Sequence, residues 1–290
     1  MKKILSLILV VSTLFLCGTN AFAESNDSVD MKTVFLQIRD KYALDYPDDI
    51  EMIDEITDLC LNDPDLTAGY ESDSETAIAA FKQCLDSSLN QQHGIDTYTM
   101  LPNGIFRSDY TVPVITQSTE YYCGPATVIA ALIGDGKLAN TTANKSASNQ
   151  AAVADDLTVS KLNGMPPVPT VVNYLNTYYS GTPYGYGLYT RFNYETSISY
   201  MTYAFANGMV PVVRVTDTSC FDYYNGESFS HYVAVQEINY TNETIVIVDP
   251  HYNSAYRGYH TITFDEFYNA MKAVKNNLNS YIISYGNRDH

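Results

Sequence analysis

Residues 30–93 carry apolar positions at helical spacing. Val34, Leu36, Ile38 and Tyr42 open one segment, and Ile50, Ile53, Ile56, Leu59 and Leu61 mark a second, with steps near three. Asp63-Pro64-Asp65 breaks the second. Ser74-Glu75-Thr76 starts a third, with Ala77, Ile78, Phe81 and Leu85 on one face. From about residue 105 the pattern changes. Thr111 to Ile115 reads as a short strand or extended lead-in, and Thr127 to Ile133 as an apolar helix that opens at Cys123-Gly124-Pro125. Residues 140–152 are polar and predict a loop, and Pro169-Thr170 leads a helix through Tyr178. Tyr184-Gly185-Tyr186-Gly187 predicts another loop. Thr196 to Asn207 reads as a helix stopped by Gly208. Strand-like runs follow at Val210–Val215, His231–Ile238, Thr244–Val248, Thr261–Phe264 and Tyr281–Tyr285, with a helix over Asp265–Val274. Helices first and sheet later predict an α+β fold.

The first residues follow a different logic. Lys2 and Lys3 precede an apolar run from Ile4 to Cys17, and Ala21-Phe22-Ala23 supplies a small-x-small cleavage signal before Glu24. That run is shorter than the roughly 20 residues a membrane span needs. It predicts a signal peptide over 1–23, hence a secreted, extracellular or envelope-associated chain with no stable membrane insertion after cleavage. Anchoring as a lipoprotein at Cys17 is the rival reading, against which Leu16 is a poor neighbour. An acidic helical region over 24–103 would then precede a main domain over 104–290. The region is either a small subdomain with a solvated face, or a pro-segment or docking module that modulates the main domain.

Charge narrows the partners. The chain of 290 residues has 33 Asp and Glu against 16 Lys and Arg, a net charge of −17. Nucleic acid binding draws most of its affinity from cations on phosphate, and anionic membrane surfaces attract the same residues. Neither fits. Hydrophobic residues at 46% provide material for a core. No phosphate-binding glycine motif, no HExxH and no CxxC is present, so the sequence predicts no cofactor and no metal. Beyond the leader, Cys60, Cys84, Cys123 and Cys220 allow three pairings, among which a Cys60–Cys84 bridge within the acidic region is the first choice.

One constellation carries chemistry. Cys123 stands at a helix start, where partial positive charge and free N–H groups favour a thiolate. Pro125 suits the first helical turn, and Gly124 lets another backbone come close. Gln117, six residues upstream, can set its amide beside the sulfur and, with the Cys123 N–H, bind an oxyanion. His231 begins one apolar strand and Asp249 ends the next, with a turn around Thr241-Asn242 midway between them. In an antiparallel hairpin the start of one strand lies near the end of the other, so an imidazole–carboxylate pair is expected. His251, just past Pro250, has no assigned part. The Tyr178–Tyr189 stretch reads as packing, with a substrate groove as the second choice.

Gln117-x5-Cys123-Gly124-Pro125, then His231-Tyr232-x-x-Val235, then Val248-Asp249-Pro250 resembles the bacterial C39-like peptidases, thiol proteases with a papain-like fold. Gly208-Met209-Val210-Pro211-Val212 is similar to the family's strand before the histidine, with one residue more. The resemblance spans roughly 110–285. It implies a peptide or protein substrate, Cys123 as nucleophile, His231 as base, Asp249 as its orienter and Gln117 in the oxyanion hole. The competing classes are a non-catalytic binding module on the same fold, and a cell-wall peptide hydrolase or acyltransferase using the same residues. No transporter or nucleotide-binding motif accompanies these residues, so leader cleavage is not carried over as the substrate.

Overall fold

The apolar run after Cys123 forms a helix buried on every side. In the computed structural model this helix, Cys123–Gly134, has all twelve residues out of solvent. Ala126, Ala130 and Ala131 keep it slim enough to lie against a sheet. The structure describes residues 30–63, 77–78, 81–82, 84–85, 89, 104–161, 164–182, 184–190, 194–275 and 278–287. The predicted signal peptide lies outside them, as does Cys17. The described residues from Met31 onward make one compact unit.

In chain order the helices are α1 (Met31–Asp45), α2 (Ile50–Leu61), α3 (Cys123–Gly134), α4 (Ala147–Asp156), α5 (Val168–Thr177), α6 (Tyr194–Ala206) and α7 (Phe264–Lys272). The strands are β1 (Ile105–Arg107), β2 (Tyr184–Tyr189), β3 (Val212–Val215), β4 (His231–Asn239), β5 (Thr244–Asp249), β6 (Gly258–Thr263) and β7 (Tyr281–Asn287). They form one antiparallel sheet in the order β2-β7-β3-β4-β5-β6, with β1 also pairing the far end of β4. The expected α+β class is what the chain adopts.

Both faces of the sheet are covered, which explains why its central strands read as continuous apolar runs. Tyr232 and Ala234 of β4, Val212 of β3 and Ile283 of β7 join the core beneath α3, α4 and α5. The alternate residues Val233, Val235, Val213, Val215 and Ile282 join a second core beneath α6 and α7. Fully burying each such side chain is worth roughly 1.5–3 kcal/mol. Helices α1 and α2, with Phe81, Cys84, Leu85 and Leu89, continue the first core. Asp63, at the end of α2, ties them to the sheet. Its carboxylate accepts the Tyr281 hydroxyl at 2.7 Å and the Asn279 backbone and side-chain N–H groups at 3.3 Å each.

Three expectations are corrected. Residues 140–152 are not all loop, because α4 begins at Ala147. Ser146 caps it by accepting the Asn149 N–H, and Gln150, Val153 and Ala154 are buried. Its Ser, Asn and Gln content hid a helix that exists for its tertiary contacts. The Tyr-Gly stretch is strand β2. Its glycines face Gly286 and Ser284 of β7, while Tyr186 and Leu188 fill the core. Pairing with a strand about 100 residues away overrides the glycine signal. Cys60 and Cys84 form no bridge. Both are buried thiols that interact with each other, and neither Cys123 nor Cys220 is in a disulfide.

Candidate active site

The lead-in to α3 is irregular, yet side chains from β4 and α4 hold it at several points. Gln236, the extra residue of a bulge in β4, accepts the Val112 N–H at 2.7 Å and donates to Ser108 Oγ at 3.0 Å. Gln150 of α4 brackets the next residues. It donates to the Thr116 carbonyl and accepts the Ser118 N–H, both at 2.9 Å. Gln117 sits between those two points, and its own N–H donates to the Pro250 carbonyl at 2.7 Å. The Gln117 side-chain Nε2 donates to the Thr119 carbonyl at 2.8 Å, while Oε1 accepts no hydrogen bond among the described residues. An amide NH2 has two hydrogens, so one orients the group and the second remains for another acceptor.

Cys123 is the first residue of α3, and no side chain caps the helix at Tyr122. Gly124 is required next to it. A Cβ there would stand 2.3 Å from Pro166 Cγ and 2.7 Å from Cδ. Pro166 in turn accepts the Tyr232 hydroxyl at 3.0 Å, and Thr127 Oγ1 of α3 donates to the Tyr232 carbonyl at 3.0 Å. The helix start and the start of β4 are therefore joined at the residue that follows His231.

His231 Nε2 lies 2.9 Å from Asp249 Oδ1. The β4 bulge sets how they meet. With Ala234 opposite Val248, the register continues to Val233 opposite Asp249, so His231 is the diagonal neighbour on the same face. With Nε2 on the carboxylate, Nδ1 is the nitrogen left for the Cys123 side chain, which acts on the ring and helps raise its pKa. Phe229, Tyr224 and His251 surround the ring edge-to-face, with centroids 5.8, 6.2 and 5.6 Å away. Gln117, Cys123, His231 and Asp249 are only 3, 2, 2 and 0% exposed. The structure thus puts His231 and Asp249 in direct contact, ties Gln117 to Pro250 beside Asp249, and leaves Cys123 close enough to act on the His231 ring.

Residues 110–277 match the model of the Peptidase_C39 like family. The chain belongs to that family. Among curated proteins none matches it. The matched stretch holds all four site residues and most of the sheet, and its α+β arrangement is consistent with a papain-like fold. It leaves out α1 and α2. Among the described residues no cluster of His, Cys, Asp and Glu could hold a metal ion, and no helix is long and apolar enough to cross a membrane.

Electrostatics in this C39-like site favour a charged pair. Burial works against a charge on His231. The Asp249 carboxylate and the Cys123 side chain outweigh it, and the imidazole is held protonated up to about 10. Burial likewise opposes a charge on Asp249. His231 and two tyrosine hydroxyls outweigh it, and its pKa is lowered. Burial and the positive charge on His231 depress His251, whose Nδ1 accepts the Asn253 N–H at 3.0 Å. Such an arrangement can move a proton between a sulfur and a ring whose far side is fixed.

Two residues at the site, Tyr223 and Tyr224, went unnoticed in the sequence, and a third, His251, had no assigned part there. Tyr223 and Tyr224 donate to Asp249 Oδ2 at 2.8 and 2.6 Å, and the His251 N–H donates to Oδ1 at 2.8 Å. The available signal is a pair of tyrosines before Asn225-Gly226, a turn sequence. Nothing local connects that turn to an aspartate 25 residues on.

Proposed function

We propose that this protein is a cysteine peptidase in which Cys123 is the nucleophile, His231 the acid–base, Asp249 its orienter and Gln117 an oxyanion donor. The observation that carries the reading is the continuous row from Asp249 through His231 to a sulfur at a helix start. An imidazolium beside a sulfur stabilises its thiolate. The Cys123 Sγ attacks a peptide carbonyl and forms a C–S bond. The carbonyl oxygen takes up the negative charge beside Gln117 Nε2 and the Cys123 N–H. The C–N bond then breaks as His231 Nδ1 gives its proton to the departing amine, which leaves a thioester and a neutral ring. Water attacks the thioester while the ring removes its proton, releasing a carboxylic acid and restoring the sulfur and imidazolium.

The test is Cys123→Ala compared with the native sequence on a peptide library, together with iodoacetamide labelling mapped by peptide mass spectrometry. Loss of hydrolysis by at least about a thousandfold, with rapid labelling of Cys123 in the native protein, is expected. Equal hydrolysis by the two proteins ends the proposal. Release of wall peptides, or incorporation of a fluorescent amine, would redirect the same residues to the cell-wall or acyl-transfer alternative.

We also propose that the protein is exported, on the strength of the basic, apolar and Ala-Phe-Ala segments of residues 1–23. N-terminal sequencing of the released protein should begin at Glu24.

A further inference from the structure

Asp249 is a wholly buried carboxylate that accepts four hydrogen bonds. Oδ1 takes His231 Nε2 at 2.9 Å and the His251 N–H at 2.8 Å. Oδ2 takes the hydroxyls of Tyr223 at 2.8 Å and Tyr224 at 2.6 Å. A carboxylate has about four lone-pair directions, so every one is filled. The two tyrosines come from a single 3₁₀ turn, Asp222–Tyr224, that ends on Asn225 in the left-handed region. Neither ring is loose. Tyr223 stacks on His260 of β6, with centroids 3.7 Å apart and planes 7° from parallel. Tyr224 is held edge-on by Phe229 at 5.1 Å and His251 at 6.0 Å, with Tyr256 at 4.8 Å. Burial, then the charge of Asp249, raises both hydroxyls far above the ordinary tyrosine value, so they remain donors.

We infer that Tyr223 and Tyr224 are positioning residues of the active site: their paired hydroxyls grip one oxygen of Asp249 so that the other stays on Nε2 and the imidazole stays aimed at Cys123. The inference rests on the peptidase reading for its catalytic consequence, but the grip itself does not. With only His231 and the His251 N–H as partners, both on Oδ1, the carboxylate could turn about its last bond and carry the ring with it. The turn fixes that rotation from the side opposite the histidine. The other charged or titratable groups around Asp249 and its two tyrosines are Cys123 at the start of α3, His251 after β5, Glu227, which acts on His251, Glu266 of α7, which acts on Tyr223, and His260 and Tyr256, whose rings pack on Tyr223 and Tyr224. None of them bonds to Oδ2.

The experiment replaces hydroxyls and keeps rings: Tyr223→Phe, Tyr224→Phe and the double variant in the full chain. Three quantities are read. They are the Asp249 midpoint from a carboxyl ¹³C titration, the rate of iodoacetamide alkylation at Cys123, and the melting curve. Losing a donor to the charged form raises the carboxylate's midpoint, and loosening the ring slows alkylation by about threefold to tenfold per hydroxyl, with the double variant slower still. An unmoved midpoint in the folded double variant overturns the grip. A raised midpoint with unchanged alkylation overturns positioning and reduces the hydroxyls to satisfying a buried charge. If Cys123→Ala shows the peptidase reading to be wrong, the Asp249 midpoint still reports on the grip, so the two failures are separable.

Discussion

Two carboxylates flank helix α3. Asp249 stands near its start, and Asp135 caps its end. Each oxygen of Asp135 has a counterpart in Asp249. Oδ2 of Asp135 accepts the hydroxyls of Tyr179 at 2.8 Å and Tyr186 at 2.7 Å, and Oδ1 accepts the Val210 N–H at 2.6 Å. Asp249 has two tyrosine hydroxyls and one backbone N–H in the same places, and His231 besides. Their acidities diverge. Burial lifts Asp135 to about 7 against the pull of its three donors and of Lys137. Asp249 is the more completely removed from water of the two, yet lies below its ordinary value because the imidazolium outweighs burial. Neutral donors set where a carboxylate points, whereas a full charge in contact decides whether it is ionised. The helix is thus anchored at one end by a group near its neutral form and at the other by an ion pair.

The largest effect should come from making the first end like the second. Asp249→Asn keeps an acceptor for the ring and removes the charge. His231 should drop from about 10 toward 6.5, and Cys123-dependent hydrolysis should fall by about 10²–10⁴-fold, as for a triad acid. Asp135→Asn should leave that rate within about twofold, because nothing at Asp135 touches the site. Ring ¹⁵N titration of His231 and rate measurements check both. An unchanged His231 midpoint in Asp249→Asn would break the contrast at its root. The ion-pair window follows from the two directions. The pair stabilises the fold from above the ordinary carboxylate range, is lost in acid as Asp249 protonates through its lowered value, and is lost in alkali as His231 deprotonates near 10.

Cys123, His231 and Asp249 could be read in the sequence because each sits at a boundary that local pattern marks: a helix start, a strand start, a strand end; Gln117 was read only from its spacing to Cys123. The nearness of His231 and Asp249 followed from one hairpin. What supports them could not be read that way. Gln150 holds the Gln117 segment from a helix whose residues favour loops, and its partners lie 32 and 34 positions upstream. The Gln236 bulge moves the register so that His231 meets Asp249 diagonally, and a bulge leaves no mark in apolar alternation over so short a strand. β2 exists only because β7 is beside it. The tyrosine turn reaches Asp249 through side chains alone.

A smaller effect should separate the two ends sterically. α3 has a close-packed glycine at each. A Cβ on Gly124 meets the Pro166 ring at 2.3 Å, and one on Gly134 meets Val112 and Val210 methyls at 2.6 and 2.7 Å. Overpacking of this kind costs about 1–3 kcal/mol, offset by up to about 1 kcal/mol of helix propensity gained over glycine. Gly124→Ala and Gly134→Ala should therefore melt alike, each below the native protein. Only Gly124→Ala should also slow Cys123 alkylation, by about tenfold, because Pro166 carries the Tyr232 hydroxyl next to His231. Equal slowing by both would mean that strain travels along α3 and that its ends are not independent.

The smallest effect is thermodynamic and belongs to Asp135 alone. Its carboxyl is more basic in the fold than the ordinary 3.8, so the folded state binds a proton more tightly than the unfolded chain does. The favourable contribution is therefore complete below about pH 4 and declines as pH rises to about 7, beyond which the carboxylate is ionised at a cost. Asn at this position has no such proton to lose. Asp135→Asn should match the native protein near pH 4 and gain on it steadily up to pH 8. The gain should be on the order of 1–2 kcal/mol, below the roughly 4 kcal/mol that a rise from 3.8 to about 7 would carry in full, because Asp135 is only half-buried and can reach water once charged. Urea unfolding at pH 4, 6 and 8 measures it. A constant difference across those values would mean that Asp135 is ionised throughout, and that its three donors with Lys137 suffice to hold a charge without an imidazolium in contact.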